Sequence, residues 1–204
     1  KEGADPVTEF KKLLHHYRDM DREGLRENLT YFLQKVVPVA EAYGIMLCIH
    51  PDDPPFPVFG LPRIVSREED LEWIIGAVNN HSNGITFCAG SLSAIAENDV
   101  PRMAKRFAKR IGFAHLRSTA LLPEGNFMEA SHLDGNGRLI EVIRILEECV
   151  SDIPMRVDHG RVLPGDSEIT HNPGYTFYGR MFALAQVEGM MAVVRNEINE
   201  KRSR

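Results

Sequence analysis

Apolar residues fall into two kinds of pattern along this chain, helical faces and short continuous runs, and the two alternate. Leu25, Leu29, Phe32, Leu33, Val36, Val37 and Ala40 trace one face at period 3.6 and predict a helix over Arg22–Ala42, closed by Tyr43-Gly44. A shorter helix fits Thr8–Tyr17. Ile45–Ile49 then reads as a buried strand, stopped at His50 by a segment so rich in Pro and Asp that no ladder can continue through it. A Pro-rich loop follows, from Pro51 to Pro62. Ser66-Arg67-Glu68-Glu69 has the form of a capping box and opens a helix to about Val78.

The alternation repeats down the chain. After a turn over Asn79–Gly84, Ile85–Cys88 is β-prone and is halted by Ala89-Gly90-Ser91. A helix fits Val100–Lys109, with Pro101 in its first turn. Ile111–His115 is a third strand, and a long loop is expected from Thr119 to about Gly137. Leu139–Val150 is amphipathic. Met155–Asp158 is a fourth strand, ended by His159-Gly160, and a loop reaches Asn172-Pro173-Gly174. The last helix spans about Tyr175–Ile198 and frays into a charged tail, 199–204. Helix and strand alternating four times predict an α/β fold with a parallel sheet and helical crossovers, in a single domain over 1–204 with a polar, partly helical segment at 1–22.

Composition narrows the function. With 204 residues, 43% hydrophobic and 26% charged, the chain can bury a substantial core. A net charge of -5 and the lack of any basic block argue against nucleic acid. No apolar run approaches the roughly 18 residues of a membrane helix. Three cysteines, at 48, 88 and 149, with no paired spacing, fit reduced thiols in a cytoplasm. Because it starts at Lys1 without Met, the chain is expected to be a segment or a processed product.

The sharpest chemistry lies at the carboxyl ends of the four strands: His50, Cys88, His115 and Asp158. In parallel sheets that end is where ligands bind. Singly, each of these residues has an ordinary structural role. Jointly they are all metal-ligand types on one rim, and a thiolate plus a carboxylate balance a divalent cation. Mixed N, S and O donors favour Fe(II), Mn(II), Co(II) or Zn(II) over Mg or Ca. Strand parity places His159 away from such an ion, free for proton transfer, and places Arg156 on the same inward side as Asp158, where it needs a partner. Tyr175 is a further acid or donor, with Arg117 and Arg161 suited to a substrate carboxylate and His132 and Asp134 to substrate hydroxyls. Cys48 and Cys149 read as packing residues.

Six stretches tie these residues to a known family: HPDDPPFPVFGLPRIVS (50–66), GITFCAGS (84–91), FAHLRST (113–119), EASHLDG (129–135), VDHGR (157–161) and NPGYTFYGR (172–180). Together the chain resembles the mannonate dehydratase family from about residue 25 onward. The resemblance implies a TIM-type (β/α)8 barrel that binds Mn(II) or Fe(II) and dehydrates D-mannonate to 2-keto-3-deoxy-D-gluconate. It implies metal ligands at His50, Cys88, His115 and Asp158, and an acid/base pair at His159 and Tyr175. A full barrel needs about 250 residues and eight strands. The four strands read here therefore correspond to a carboxyl-terminal half, completed by a longer chain or by a partner in a homo-oligomer. Two other readings stand beside this one. One is a metal-dependent sugar isomerase or epimerase on the same barrel, which Cys88 argues against. The other is a catalytically incomplete metal-binding half-barrel.

Overall fold

The computed structural model describes residues 5–150, 152–168, 170–172 and 174–204; Lys1 and Pro173 lie outside them. Two helices come first, α1 (Pro6–His16) and α2 (Arg22–Ala42). They are followed by β1 (Leu47–Ile49), α3 (Glu68–Ala77), β2 (Asn83–Cys88), α4 (Ala89–Ser93), α5 (Val100–Phe107) and β3 (Ile111–His115). A hairpin, β4 (Thr119–Leu121) and β5 (Phe127–Glu129), precedes α6 (Leu139–Cys149), β6 (Met155–Arg156) and α7 (Phe177–Arg202). β1, β2, β3 and β6 form one parallel sheet in that order, so each crossover contains a helix, as the alternation predicts.

Packing follows from the helical faces. β2 is buried along its whole length, with Ile85 and Phe87 fully enclosed. Leu71 and Ile74 of α3, Met103 and Phe107 of α5, Leu139, Val142, Ile143 and Leu146 of α6, and Val187, Met190 and Val194 of α7 join it in one cluster. At the amino end of the sheet the strands nearly touch Met46 and Cys48. A Cβ at Gly112 would lie 2.4 Å from the Met46 sulfur and 2.6 Å from the Cys48 sulfur. Cys48 is thus a packing residue, and burial raises its thiol pKa. Among the described residues no helix is long and apolar enough to cross a membrane.

Several elements differ from the sequence expectation. β1 is a half-buried edge strand of three residues rather than a buried run from Ile45, and Ile45 itself is exposed. With a neighbour on one side only, apolar content does not guarantee burial. Phe32, expected on the buried face of α2, is exposed beside Tyr31. The box that opens α3 is shifted by one position: the Asp70 carboxylate accepts the N–H groups of both Ser66 and Arg67 at 3.0 Å. The expected Thr119–Gly137 loop holds the antiparallel β4–β5 hairpin. β6 stops at Arg156, because Asp158 adopts a φ of 60°. α7 starts after Tyr175 and stays helical through Arg202, into the expected tail.

Candidate active site and metal centre

The sheet brings the four strand-end residues together. Cys88 and His115 are register partners at the ends of β2 and β3. His50 follows β1, and Asp158 follows β6 by two residues. One donor atom from each of the four lies within 4.8 Å of the others. His50 Nε2 stands 3.1 Å from His115 Nδ1, and His115 Nδ1 stands 3.4 Å from an Asp158 oxygen. Donors about 2.1 Å from one ion at right-angled or tetrahedral spacing stand roughly 3.0 to 3.4 Å apart, the spacing of the His50–His115 and His115–Asp158 pairs.

Local contacts aim these donors. His50 Nδ1 lies 2.6 Å from the Pro51 carbonyl, which can only accept; the proton therefore sits on Nδ1 and leaves the Nε2 lone pair facing the cluster. Cys88 caps α4, and the Ser91 N–H and hydroxyl both donate to its sulfur, at 3.5 and 3.2 Å. Burial opposes ionisation of Asp158, but the His115 hydrogen bond and the charges of His115, His159 and Arg156 outweigh it and hold its pKa at about 2. Burial likewise opposes protonation of His115, yet Asp158 and Cys88 raise its pKa. A fixed field that favours positive charge at this point suits a cation.

Beside the cluster lies a chain of side chains that no single strand supplies. His159 Nε2 is 3.9 Å from Asp158, while its Nδ1 is 2.8 Å from Glu129 Oε1. Arg117, only 3% exposed, donates to Glu129 from Nε at 3.0 Å and from Nη2 at 2.6 Å, and its Nη1 pairs with Asp53. Burial opposes charge on both groups, but it is overcome: the Arg117 pKa is raised by Glu129, Asp53 and Cys88, and the Glu129 pKa is lowered by His159 and Arg117. Tyr175 packs edge-on against the His159 ring, with centroids 5.0 Å apart.

Comparison with known proteins identifies the family. The family model described as D-mannonate dehydratase (UxuA) matches residues 2–201. The chain belongs to the D-mannonate dehydratase family. It is 45% identical over 199 residues to a mannonate dehydratase of Marinomonas sp. (strain MWYL1), covering 93% of this chain and 51% of that protein. The crystal structure of mannonate dehydratase from Streptococcus suis serotype2 superposes with a TM-score of 0.86 at 33% identity, covering 97% of this chain and 56% of that one. A D-tagatose 3-epimerase-like protein shares the fold alone, at 16% identity, with a TM-score of 0.63 over 86% of this chain and 57% of that one. The chain thus spans about half the length of the mannonate dehydratase relatives it matches.

The other residues singled out in this family member fall into place unevenly. Arg117, expected to meet a substrate carboxylate, already has each of its three guanidinium nitrogens donating to a carboxylate of the chain itself. His132 does not face substrate hydroxyls: it is 4% exposed, with Nε2 3.1 Å from the Val157 carbonyl, and burial lowers its pKa. Asp134 is exposed, with its carboxylate turned back onto the Gly135 N–H at 2.8 Å. Arg161 is exposed, on a loop seated so closely on α7 that a Cβ at Gly179 would lie 1.8 Å from the Arg161 carbonyl oxygen. Arg156 is not buried: its side chain is 40% exposed and pairs with Asp158 at 3.0 Å. The two side chains do share one side, as parity predicts, and the partner that Arg156 needs is Asp158 itself. Glu129 was missed; it opens the EASHLDG stretch, but its partner His159 is 30 residues away.

Proposed function

We propose that the chain is the metal-holding half of a D-mannonate dehydratase, a lyase that converts D-mannonate to 2-keto-3-deoxy-D-gluconate and water. The observation behind this reading is the convergence of His50, Cys88, His115 and Asp158 beside His159 and Tyr175 in a member of that family. Those four residues would hold Mn(II) or Fe(II), which their mixed nitrogen, sulfur and oxygen donors suit. The ion supplies Lewis acidity toward substrate oxygens when bound.

The protein's own groups handle the protons. The C2 proton leaves, the C3 hydroxyl departs as water, and the resulting enol becomes a ketone by taking a proton at C3. His159 and Tyr175 share this traffic, one receiving the C2 proton and the other protonating the departing hydroxyl. Arg161 and Asp134, both exposed, are the remaining substrate contacts in this reading.

The same proposal makes the chain the carboxyl-terminal half of a TIM-type (β/α)8 barrel, about four βα units. The open edges at β1 and β6 are then covered by the other half, from a longer chain or from a partner copy in a homo-oligomer. A cytoplasmic setting is in keeping with three free cysteines. The second reading, a metal-binding half-barrel inactive by itself, is favoured by the open four-stranded sheet.

The test loads the chain with Mn(II) or Fe(II), measures its mass by light scattering, and follows 2-keto-3-deoxy acid formation from D-mannonate. Product from the wild type, and its loss in His159→Asn with metal retained, is the expected result. Bound metal without product assigns the second reading. Turnover of an aldose to a ketose, with no product from D-mannonate, would mean an isomerase.

A further inference from the structure

We infer that Glu129 is a positioning residue, clamped by Arg117, that locks His159 in the form with the proton on Nδ1 and Nε2 turned toward the metal cluster. This rests on the proposed role of His159 in proton transfer.

The argument is one of donors and acceptors. Both Glu129 oxygens accept from Arg117 Nε at 3.0 Å, and Oε1 also accepts from Nη2. A carboxylate so engaged offers only lone pairs to its remaining neighbour. His159 Nδ1, 2.8 Å from Oε1, must then be the protonated nitrogen. Nε2 is left as the free nitrogen, on the Asp158 side of the ring.

The clamp is built so that it cannot drift. Arg117 is held at its far side by Asp53, from the loop after β1. Its stem crosses Gly90, where a Cβ would lie 2.4 Å from Arg117 Cγ, so only glycine leaves room for it. The His159 ring is bounded by Tyr175 on one side and by Gly174 on another, where a Cβ would come within 2.8 Å of the ring. Asp53, Arg117, Glu129 and His159 come from four separate loops or strand ends, and a side chain needed only for packing would not require an ion pair at each link.

The experiment is a nitrogen-15 NMR measurement of the histidine rings under mildly alkaline conditions, with the His159 signal identified by its absence in His159→Gln. In wild-type protein the signal should show a protonated Nδ1 and an unprotonated Nε2. In Glu129→Gln, whose amide can present N–H to the ring, the populations should shift toward protonated Nε2, with the fold intact by circular dichroism and metal content unchanged. If Glu129→Gln does not fold, Glu129→Ala, which removes the acceptor behind Nδ1, should shift the populations in the same direction. An unchanged His159 tautomer in a folded variant overturns the inference. Where wild-type turnover of D-mannonate is present, kcat should fall about 10- to 100-fold with KM little changed, and an unaltered kcat also overturns it. Absence of turnover in the wild type would count against the dehydratase reading alone, because the tautomer signal does not depend on it.

Discussion

Nε2 of His50 stands 3.1 Å from Nδ1 of His115, and the Pro51 carbonyl turns the His50 lone pair toward that gap. Two ring nitrogens this close, with Asp158 and Cys88 beside them, are best relieved by a shared cation. One divalent ion per chain is expected by elemental analysis. Removing it with a chelator should lower the melting temperature, since an ion present at 100 times its Kd adds about 2.7 kcal/mol to stability. Identical melting curves with and without chelator would sink the metal site.

Cys88→Ser tests the donor set more finely. The hydroxyl keeps the size but not the soft, anionic sulfur, so affinity for Mn(II), Fe(II) or Zn(II) should fall at least about tenfold. The fold should survive, because Cys88 is a small buried residue whose other contacts are to Ser91. Competitive metal titration followed by calorimetry measures the loss.

Gly90→Ala should destabilise the protein by about 1 to 3 kcal/mol, the usual cost of overpacking a filled site. The new methyl would meet the stem of Arg117, which is fixed by Asp53 at one end and Glu129 at the other. Urea denaturation measures this, and a midpoint unchanged from wild type would mean that the clamp is looser than its geometry.

Asp166 caps α7 from a distance, accepting the N–H groups of Tyr178 and Gly179 at 2.9 and 3.0 Å as well as that of Leu163. Burial opposes its charge, but those N–H groups prevail and lower its pKa. The sign follows from linkage: a carboxylate depressed in the folded state adds stability above the unfolded pKa of about 3.9, and loses it as pH falls through the lower folded value. Asp166→Asn should therefore melt a few degrees lower than wild type at neutral pH, and the gap should close in acid. Thermal melts across pH give the comparison; a gap independent of pH would contradict it.

The sequence made the strand-end residues legible because each strand is stopped by its own composition: Pro51 to Pro55 after His50, Ala89-Gly90 after Cys88, His159-Gly160 after Asp158. Local stops and helical faces are local information. Glu129 was not legible for the opposite reason. It ends a three-residue strand too short for an alternation signal, and its partners Arg117 and His159 are 12 and 30 residues away. Sequence does not reveal that Glu129 holds the Arg117 guanidinium or that the Val157 carbonyl lies against His132. Strand parity puts Arg156 beside Asp158, where the structure pairs them, but it does not reveal that the guanidinium is 40% exposed at the end of a two-residue strand.

β6 is the shortest strand of the sheet, two residues joined to β3 through Ala114–Met155 and His115–Arg156. Yet the residue it delivers, Asp158, stands among donors from the ends of β1, β2 and β3. Coordination there would link both outer strands across the width of the sheet and make up for what the short ladder lacks. Amides around 155–160 should then exchange with solvent fastest when the ion is withdrawn, making this end of the sheet the part of the molecule that reports on metal supply.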